Sequence, residues 1–278
     1  MNNLAFTFIV GTSSLLAGFL GSLTGLGGGV VIVPLLVLGF GVDIRYAIGA
    51  SLVSVIATSS GAAAAYVKEG FSNIRVGMFL EIATTVGALV GASLATRLST
   101  SVIAVVFGVV LAYSAFLSSH SHHATSTTTR PDALASRLRL DGAFPSPAGP
   151  QPYRVQGVPT AFGLMFVAGS LSGLLGIGSG AVKVLAMDRA MHLPFKVSTT
   201  TSNFMIGVTA AASAGVYLNR GYIDPGLAMP VMLGVLLGST LGARVLVAAR
   251  PGVLRVVFAL VILALGVEMI YNGFSGRL

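Results

Sequence analysis

From Leu4 to Leu26, and again from Ser99 to Leu117, the chain runs without a charged residue. About 18 apolar residues suffice to cross a hydrocarbon core of about 30 Å at about 1.5 Å per helical residue, and further stretches approach that length. A soluble core could not absorb them all. Composition agrees: of 278 residues, 54% are hydrophobic and 9% charged, with a mean hydropathy of +0.91, against roughly 25% charged residues in an average soluble domain. The sequence predicts an all-α integral membrane protein with several crossings.

The run from Leu4 follows the uncharged Met1, Asn2 and Asn3, without a basic n-region or a small-residue cleavage pattern, and is read as a mature helix. Having no cysteine excludes disulfides, thiolate metal sites and thiol nucleophiles. The net charge of +8 does not point to nucleic acid, because the sixteen basic residues are scattered among hydrophobic segments.

The apolar segments fall into two series. The first runs Leu4 to Leu26, a glycine break, Val30 to Phe40, Ala47 to Val67, Val76 to Thr96 and Ser99 to Leu117. The second runs Val158 to Leu175, a glycine break, Ala181 to Met187, Ser198 to Leu218, Leu227 to Leu246 and Val253 to Tyr271. A shift of 151 positions superposes them without a gap: Gly18, Gly25, Gly27 and Gly29 fall on Gly169, Gly176, Gly178 and Gly180. Downstream, Ser51 meets Ser202, Thr58 meets Thr209, Tyr66 meets Tyr217, Gly70 meets Gly221 and Gly87 meets Gly238. Membrane composition would align Leu with Val anywhere, but would not hold glycines and polar residues in one register. We read a duplication, with a first membrane repeat over 1–117, a polar Ser-, Thr- and Pro-rich linker over 118–157, and a second repeat over 158–278. The linker is expected to be mobile, with one amphipathic turn at Ala133 to Leu140.

Basic residues choose between topologies. Inverted halves put twelve Lys and Arg on one side, leaving Arg45, Arg97, Arg220 and Arg277 on the other; parallel halves give eight against eight. Lys183 and Arg244 fall in apolar stretches and weigh less. The positive-inside bias predicts two inverted repeats, each a glycine-broken helical hairpin plus three transmembrane helices, with the linker cytoplasmic and both termini outside. Secondary transporters built from inverted repeats with broken helices place substrate near the midplane between the halves.

The breaks are Thr24-Gly25-Leu26-Gly27-Gly28-Gly29 and Gly176-Ile177-Gly178-Ser179-Gly180. At membrane depth such runs free backbone polar groups, which must be buried in protein or line a wet cavity. A short helix after each break presents N–H groups and its positive dipole end, and glycine admits close approach. That favours an anion, with candidate donors at Thr24, Ser51, Ser54, Thr58, Ser179, Thr199, Thr200, Thr201, Ser202 and Asn203. The plainer readings are close helix packing for the glycines and bonds to their own helix backbone for the hydroxyls.

Lys183 lies one turn beyond Gly180, where the first half has Ile32. It is either a functional charge or a lysine snorkelling to a nearby interface. Glu81 and Glu268 lie in apolar helices and could carry a proton, but each is within about two turns of a helix end, so interfacial solvation is expected. His120, His122 and His123 cluster in the polar linker without acidic partners and are expected to be solvated, with no metal and no cofactor. No Ser–His–Asp set, P-loop or dinucleotide fingerprint appears, so no enzyme is expected.

The run Gly25 to Gly29 with Pro34, the stretch Ala50-Ser51-Leu52, and their counterparts Gly176 to Gly180 and Thr201-Ser202-Asn203 resemble the sulfite exporter TauE/SafE family of membrane permeases. The resemblance covers both halves. It implies a bacterial inner-membrane carrier for small sulfur-containing anions, such as sulfite or C2 sulfonates like sulfoacetate. It also implies that substrate meets the two breaks and the polar stretches around Ser51 and Ser202. The second half departs in having Ser179 for Gly28, Lys183 for Ile32 and Leu185 for Pro34, so a strictly symmetric site is not expected.

The expected function is secondary transport of such an anion by alternating access at a midplane site made of Thr24, Gly25, Gly27, Gly28, Gly29, Ser51, Gly176, Gly178, Ser179, Gly180, Lys183, Ser202 and Asn203. The expected partners are the small anionic substrate and the lipid bilayer, with a homodimer left open. An anion channel, another small-organic-anion permease or a subunit delivering sulfur compounds to a partner is the first alternative; an intramembrane enzyme or a structural membrane protein is a more distant one.

Overall fold

A computed structural model describes residues 3–22, 29–68, 70–119, 132–145, 149–248 and 251–276. The first half contains α1 (Asn3–Ser22), α2 (Gly29–Pro34) continued by a π-helical turn (Leu35–Gly39), α3 (Ile44–Lys68), α4 (Ile74–Ala95) and α5 (Thr100–Ser119). A short helix α6 (Ala133–Arg137) and the strands β1 (Gly142–Phe144) and β2 (Gln151–Tyr153) follow. The second half contains α7 (Val158–Leu175), α8 (Gly180–Leu185) with its π-helical turn (Ala186–Ala190), α9 (Phe195–Asn219), α10 (Pro225–Ala248) and α11 (Pro251–Phe274).

The shift of 151 carries α2, its π-helical turn and α3 onto α8, its turn and α9 with identical bounds. It also carries Gly70 onto Gly221, both at φ 74° in the left-handed region. Packing follows the same exchange. Helix α1 lies along α10 and α7 along α4, while α5 pairs with α11 and α3 with α9 in the middle. Interchanging the halves turns the first pair into the second and leaves the other two unchanged.

Lipid offers no hydrophobic drive between helices, so close backbone approach has to hold these pairs. A Cβ at Gly87 or Gly91 would overlap the carbonyl oxygens of Phe166 and Ser170, and one at Gly169 or Gly173 those of Thr84 and Ala88. The α1–α10 pair repeats this, with Gly18 against Val235 and Gly238 against Leu15, each the earlier contact displaced by 151. On the outside, Met78, Ile82, Val86 and Leu89 form an exposed apolar stripe along α4, as a lipid-facing helix requires. Among the described residues, Ile74–Ala95, Val158–Leu175 and Pro225–Gly242 have the length and hydropathy to cross a membrane. Shorter apolar stretches cover Ala5–Gly21, Ile44–Ser60, Thr100–Ala115 and Leu260–Phe274.

The two ends of the bundle carry different residues. At one, Arg45 Nη2 donates to Leu98 O at 2.7 Å, and its guanidinium lies 5.7 Å from the ring centre of Tyr222. At the other, Asn73 caps α4 by accepting from Val76 N at 3.1 Å. The backbone N of Asn73 donates to Thr201 Oγ1 at 3.0 Å, and its Nδ2 donates to Leu140 O and Tyr153 Oη at 2.9 and 2.8 Å. Lys196 Nζ sits 3.6 Å from the Phe71 ring centre, and Arg75 Nη1 donates to Arg139 O at 3.3 Å.

The linker differs from expectation. The turn expected at Ala133 to Leu140 begins as α6, capped by Asp132 through Leu134 N. Beyond it, β1 and β2 form an antiparallel hairpin, and Asp141 Oδ1 accepts from Val155 N at 2.8 Å. Ala135, Leu140 and Val155 are buried with Val76 and Leu80 of α4 and with Met187, Met191 and Leu193. Over 132–145 and 149–157, then, the linker is docked on the bundle. Its few apolar side chains complete a core whose other members come from both halves. Burial also pushes the Tyr153 phenol above its usual range, which keeps it neutral beside the Asn73 amide. His120, His122 and His123 lie outside the described residues.

Gly91→Ala and Gly238→Ala should each cost about 1–3 kcal/mol by overpacking against a carbonyl. Gly215→Ala, where a Cβ meets open space, should stabilise α9 by at most about 1 kcal/mol. Thermal unfolding in detergent checks this; equal effects at the three positions would contradict backbone-to-backbone packing.

Candidate functional site

The described end of the first break meets the second inside the bundle. Gly29, the last residue of the first, is buried, and a Cβ there would come 2.7 Å from Ser51 Oγ and 3.0 Å from Gly176 O, the first residue of the second. Ser51, on α3, donates to Gly176 O at 2.8 Å, a direct bond from the first half to the second break. Its counterpart Ser202, on α9, donates to Gly180 O at 3.3 Å. Tyr217 closes the end of α7 by donating to the carbonyls of Gly173 and Leu174 at 3.2 and 3.3 Å. Thr24, Gly25, Gly27 and Gly28 lie outside the described residues.

The second break is buried throughout, 176–180. Gly176 and Gly178 sit at φ 69° and 71°, a left-handed conformation that glycine takes at little cost. Ser179 follows at φ 45°, where a side chain is disfavoured. Its Oγ is buried without a partner, as is that of Ser172. Among the described residues, the backbone N–H groups of Gly178 and Ser179 have no backbone acceptor. The break therefore holds unclaimed donors beside carbonyls that are already satisfied. Ile48, Val55 and Ile206 press on Gly176 and Gly178, so side chains close the site in this conformation. A surface groove lined by Leu89, Val90, Ser93, Leu94 and Arg97 runs on α4 and includes no residue of either break.

Several hydroxyls have only local roles. Ser54, Thr58, Thr199 and Thr200 bond carbonyls of their own helices, and Thr201 receives the Asn73 N–H. Asn203 is half-buried on α9.

Lys183 is fully buried, so its side chain does not snorkel to an interface. Its Nζ donates to Thr209 Oγ1 on α9 at 2.5 Å, and the Thr209 hydroxyl in turn lies 2.7 Å from Glu81 Oε1 on α4. Thr85 donates to the same oxygen at 3.2 Å, while Glu81 Oε2 is buried with no partner. Glu81 is only 8% exposed, so the interfacial solvation expected for it does not hold: although two turns from the start of α4, it lies on the face that packs α9. Glu268 is exposed.

The bridge formed by Thr209 was not anticipated from sequence. The one available signal was its register with Thr58, combined with a lysine and a glutamate that no polar loop claims. The network has no counterpart in the other half: the positions related to Lys183 and Glu81 are Ile32 and Met232.

The sequence profile of the family described as Sulfite exporter TauE/SafE matches residues 10–269. A "Probable membrane transporter protein YunE" of Bacillus subtilis is 29% identical over 270 residues, covering 93% of this chain and 95% of its own. A "Probable membrane transporter protein" of Methanocaldococcus jannaschii is 27% identical over 269 residues, 92% of each chain. One of Xylella fastidiosa is 24% identical over 264 residues, covering 94% of this chain and 93% of its own. No solved structure matches.

Ser179→Gly should raise stability by about 1 kcal/mol, since it relieves a left-handed residue and removes a hydroxyl that bonds nothing. Ser51→Ala strips Gly176 O of its donor and should cost about 1–3 kcal/mol. Melting of the two variants in detergent, side by side, reads opposite shifts if the break is strained and bonded as described.

Proposed function

The chain belongs to the sulfite exporter TauE/SafE family and is a membrane transporter, and from that premise we propose that it is a secondary carrier of small sulfur-containing anions, sulfite or C2 sulfonates such as sulfoacetate. The observation that carries this reading is the meeting of the two breaks at Gly29, Ser51 and Gly176. Interrupted helices from both halves converge at one buried point; among the described residues the N–H groups of Gly178 and Ser179 have no backbone acceptor, and Lys183, buried one turn along α8 from Gly180, is the cation this reading assigns to the anion.

The repeats are inverted in this reading. In support, Lys196 of the second half shares an end with Phe71 and Asn73 of the first, and Arg45 of the first shares the opposite end with Tyr222. Inverted halves require that grouping of basic residues, and parallel halves would part Lys196 from Arg75. The richer end, with Arg75, Arg139 and Lys196, is cytoplasmic by the positive-inside bias. The linker then lies in the cytoplasm of a bacterial cell and the termini outside the inner membrane. Transport proceeds by alternating access, as the halves rearrange about the breaks. The closure of the second break by Ile48, Val55 and Ile206 favours a carrier over a standing pore.

Proteoliposomes loaded with unlabelled sulfite or sulfoacetate should take up the labelled anion by counterflow, with saturation, and should ignore taurine, whose ammonium cancels its charge. Flux that never saturates would favour a channel, and no flux or binding of either anion would overturn the assignment.

A further inference from the structure

The reaction of a buried cation to an incoming anion depends on what already neutralises it. Lys183 of α8, Thr209 of α9 and Glu81 of α4 form one chain of contacts, with Nζ 2.5 Å from the Thr209 hydroxyl and that hydroxyl 2.7 Å from Glu81 Oε1. All three are shielded from solvent. The charged groups facing Glu81 can be taken element by element. Helix α8 brings Lys183, α9 brings the Thr209 hydroxyl, and α4 itself brings Thr84 and Thr85. Helix α7, the long neighbour of α4, contains no ionisable residue. Among the described residues, lysine and glutamate are thus each other's only charged company, and ionised together they are neutral.

An anion drawn to Lys183 breaks that balance. Ammonium, carboxylate and anion sum to a net negative charge at a buried place, and like charges at close quarters do not both stay ionised. We propose that Glu81 and the transported anion are alternative partners of the Lys183 ammonium, so that each anion bound is accompanied by one proton taken up on Glu81, which makes the carrier an anion–proton symporter. This rests on the transport reading above and adds its coupling ion.

Thr209 is placed to effect the exchange. Its hydroxyl has a second acceptor, the carbonyl of Met205, at 3.0 Å. While Glu81 is a carboxylate, the hydroxyl donates to it and accepts from Lys183. Once the carboxylate takes a proton, the hydroxyl turns to Met205, the local bond that Thr58 makes to Ser54 in the other half. The ammonium keeps its bond to the hydroxyl oxygen but has lost its counter-charge, which the anion then supplies. Oε2, which bonds nothing in this conformation, is the oxygen open to receive the proton. On the far side the anion leaves, the proton departs from Glu81, and the original pair re-forms.

Sulfoacetate is the probe, because both its acid groups stay ionised near neutral pH and bring no proton of their own. Adding it to purified protein in weakly buffered detergent solution should draw one proton from solution per anion bound, and affinity should fall about tenfold per pH unit while Glu81 is ionised in the free protein. In vesicles, an alkaline interior should drive sulfoacetate accumulation. Glu81→Gln should abolish proton uptake on binding and accumulation driven by the pH gradient, and leave counterflow independent of pH. Lys183→Met combined with Glu81→Gln, which removes both charges together, should fold and lose binding. Binding by the natural chain without proton uptake would overturn the coupling and leave the transport assignment standing. So would gradient-driven accumulation that survives Glu81→Gln. Absence of any sulfoacetate or sulfite binding would overturn both.

Discussion

Within a bilayer a free peptide group finds no water, so each interruption of a helix has to find its hydrogen bonds in the protein. That requirement organises this molecule. The end of α7 hands its carbonyls to Tyr217 of α9 and, at Gly176, to Ser51 of α3. The start of α8 hands Gly180 O to Ser202. The broken hairpin can therefore exist only where α3 and α9 stand together beside it, which puts those two helices in the centre. The outer pairs, α4 with α7 and α1 with α10, then close on glycines that let backbone touch backbone. The α5–α11 pair completes the bundle.

Much of this was legible in the residues because polar and glycine positions carry information that apolar ones do not. The shift of 151 came from glycines, serines and threonines, and the helices obey it to the residue in α2, α3, α8 and α9. The approach of Gly29 to Gly176 is what the chemistry of paired interruptions at depth leads one to expect, since their peptide groups must be satisfied within the protein. Orientation of a helix about its own axis was not legible. In a soluble protein the polar face marks the outside, but along α4 both faces are apolar: Met78 and Ile82 are exposed, while Leu80 and Ala83 are buried. Distance from a helix end therefore says little about Glu81, whose burial depends on which way α4 is turned. The hairpin over Gly142–Tyr153 was hidden for a related reason. Its strands are three residues long and are held by partners remote in sequence, such as Asn73.

The halves share a backbone and differ in charge. Each ion moved from water to a protein interior costs several kcal/mol even after relaxation, and only a partner of opposite sign makes the cost bearable. The second half carries Lys183 with Thr209, and the first supplies Glu81 from α4. At the related place stand Ile32, Met232 and a Thr58 bonded to its own helix. A second lysine there would need a second carboxylate and a second desolvation. Apolar residues meet the packing demand without either.

A single buried pair also explains why duplicated halves need not share a role. The second break offers its carbonyls to both halves, Gly176 O to Ser51 and Gly180 O to Ser202. The buried lysine belongs to one half only, and it is linked through Thr209 to a glutamate of the other half. Any rearrangement of α4 against α8 and α9 must either carry the pair along intact or part it. Parting it leaves two buried charges uncompensated unless a proton or an anion replaces what was lost. Charge balance at this one place thus ties any motion of α4 against α8 and α9 to whatever neutralises the two charges.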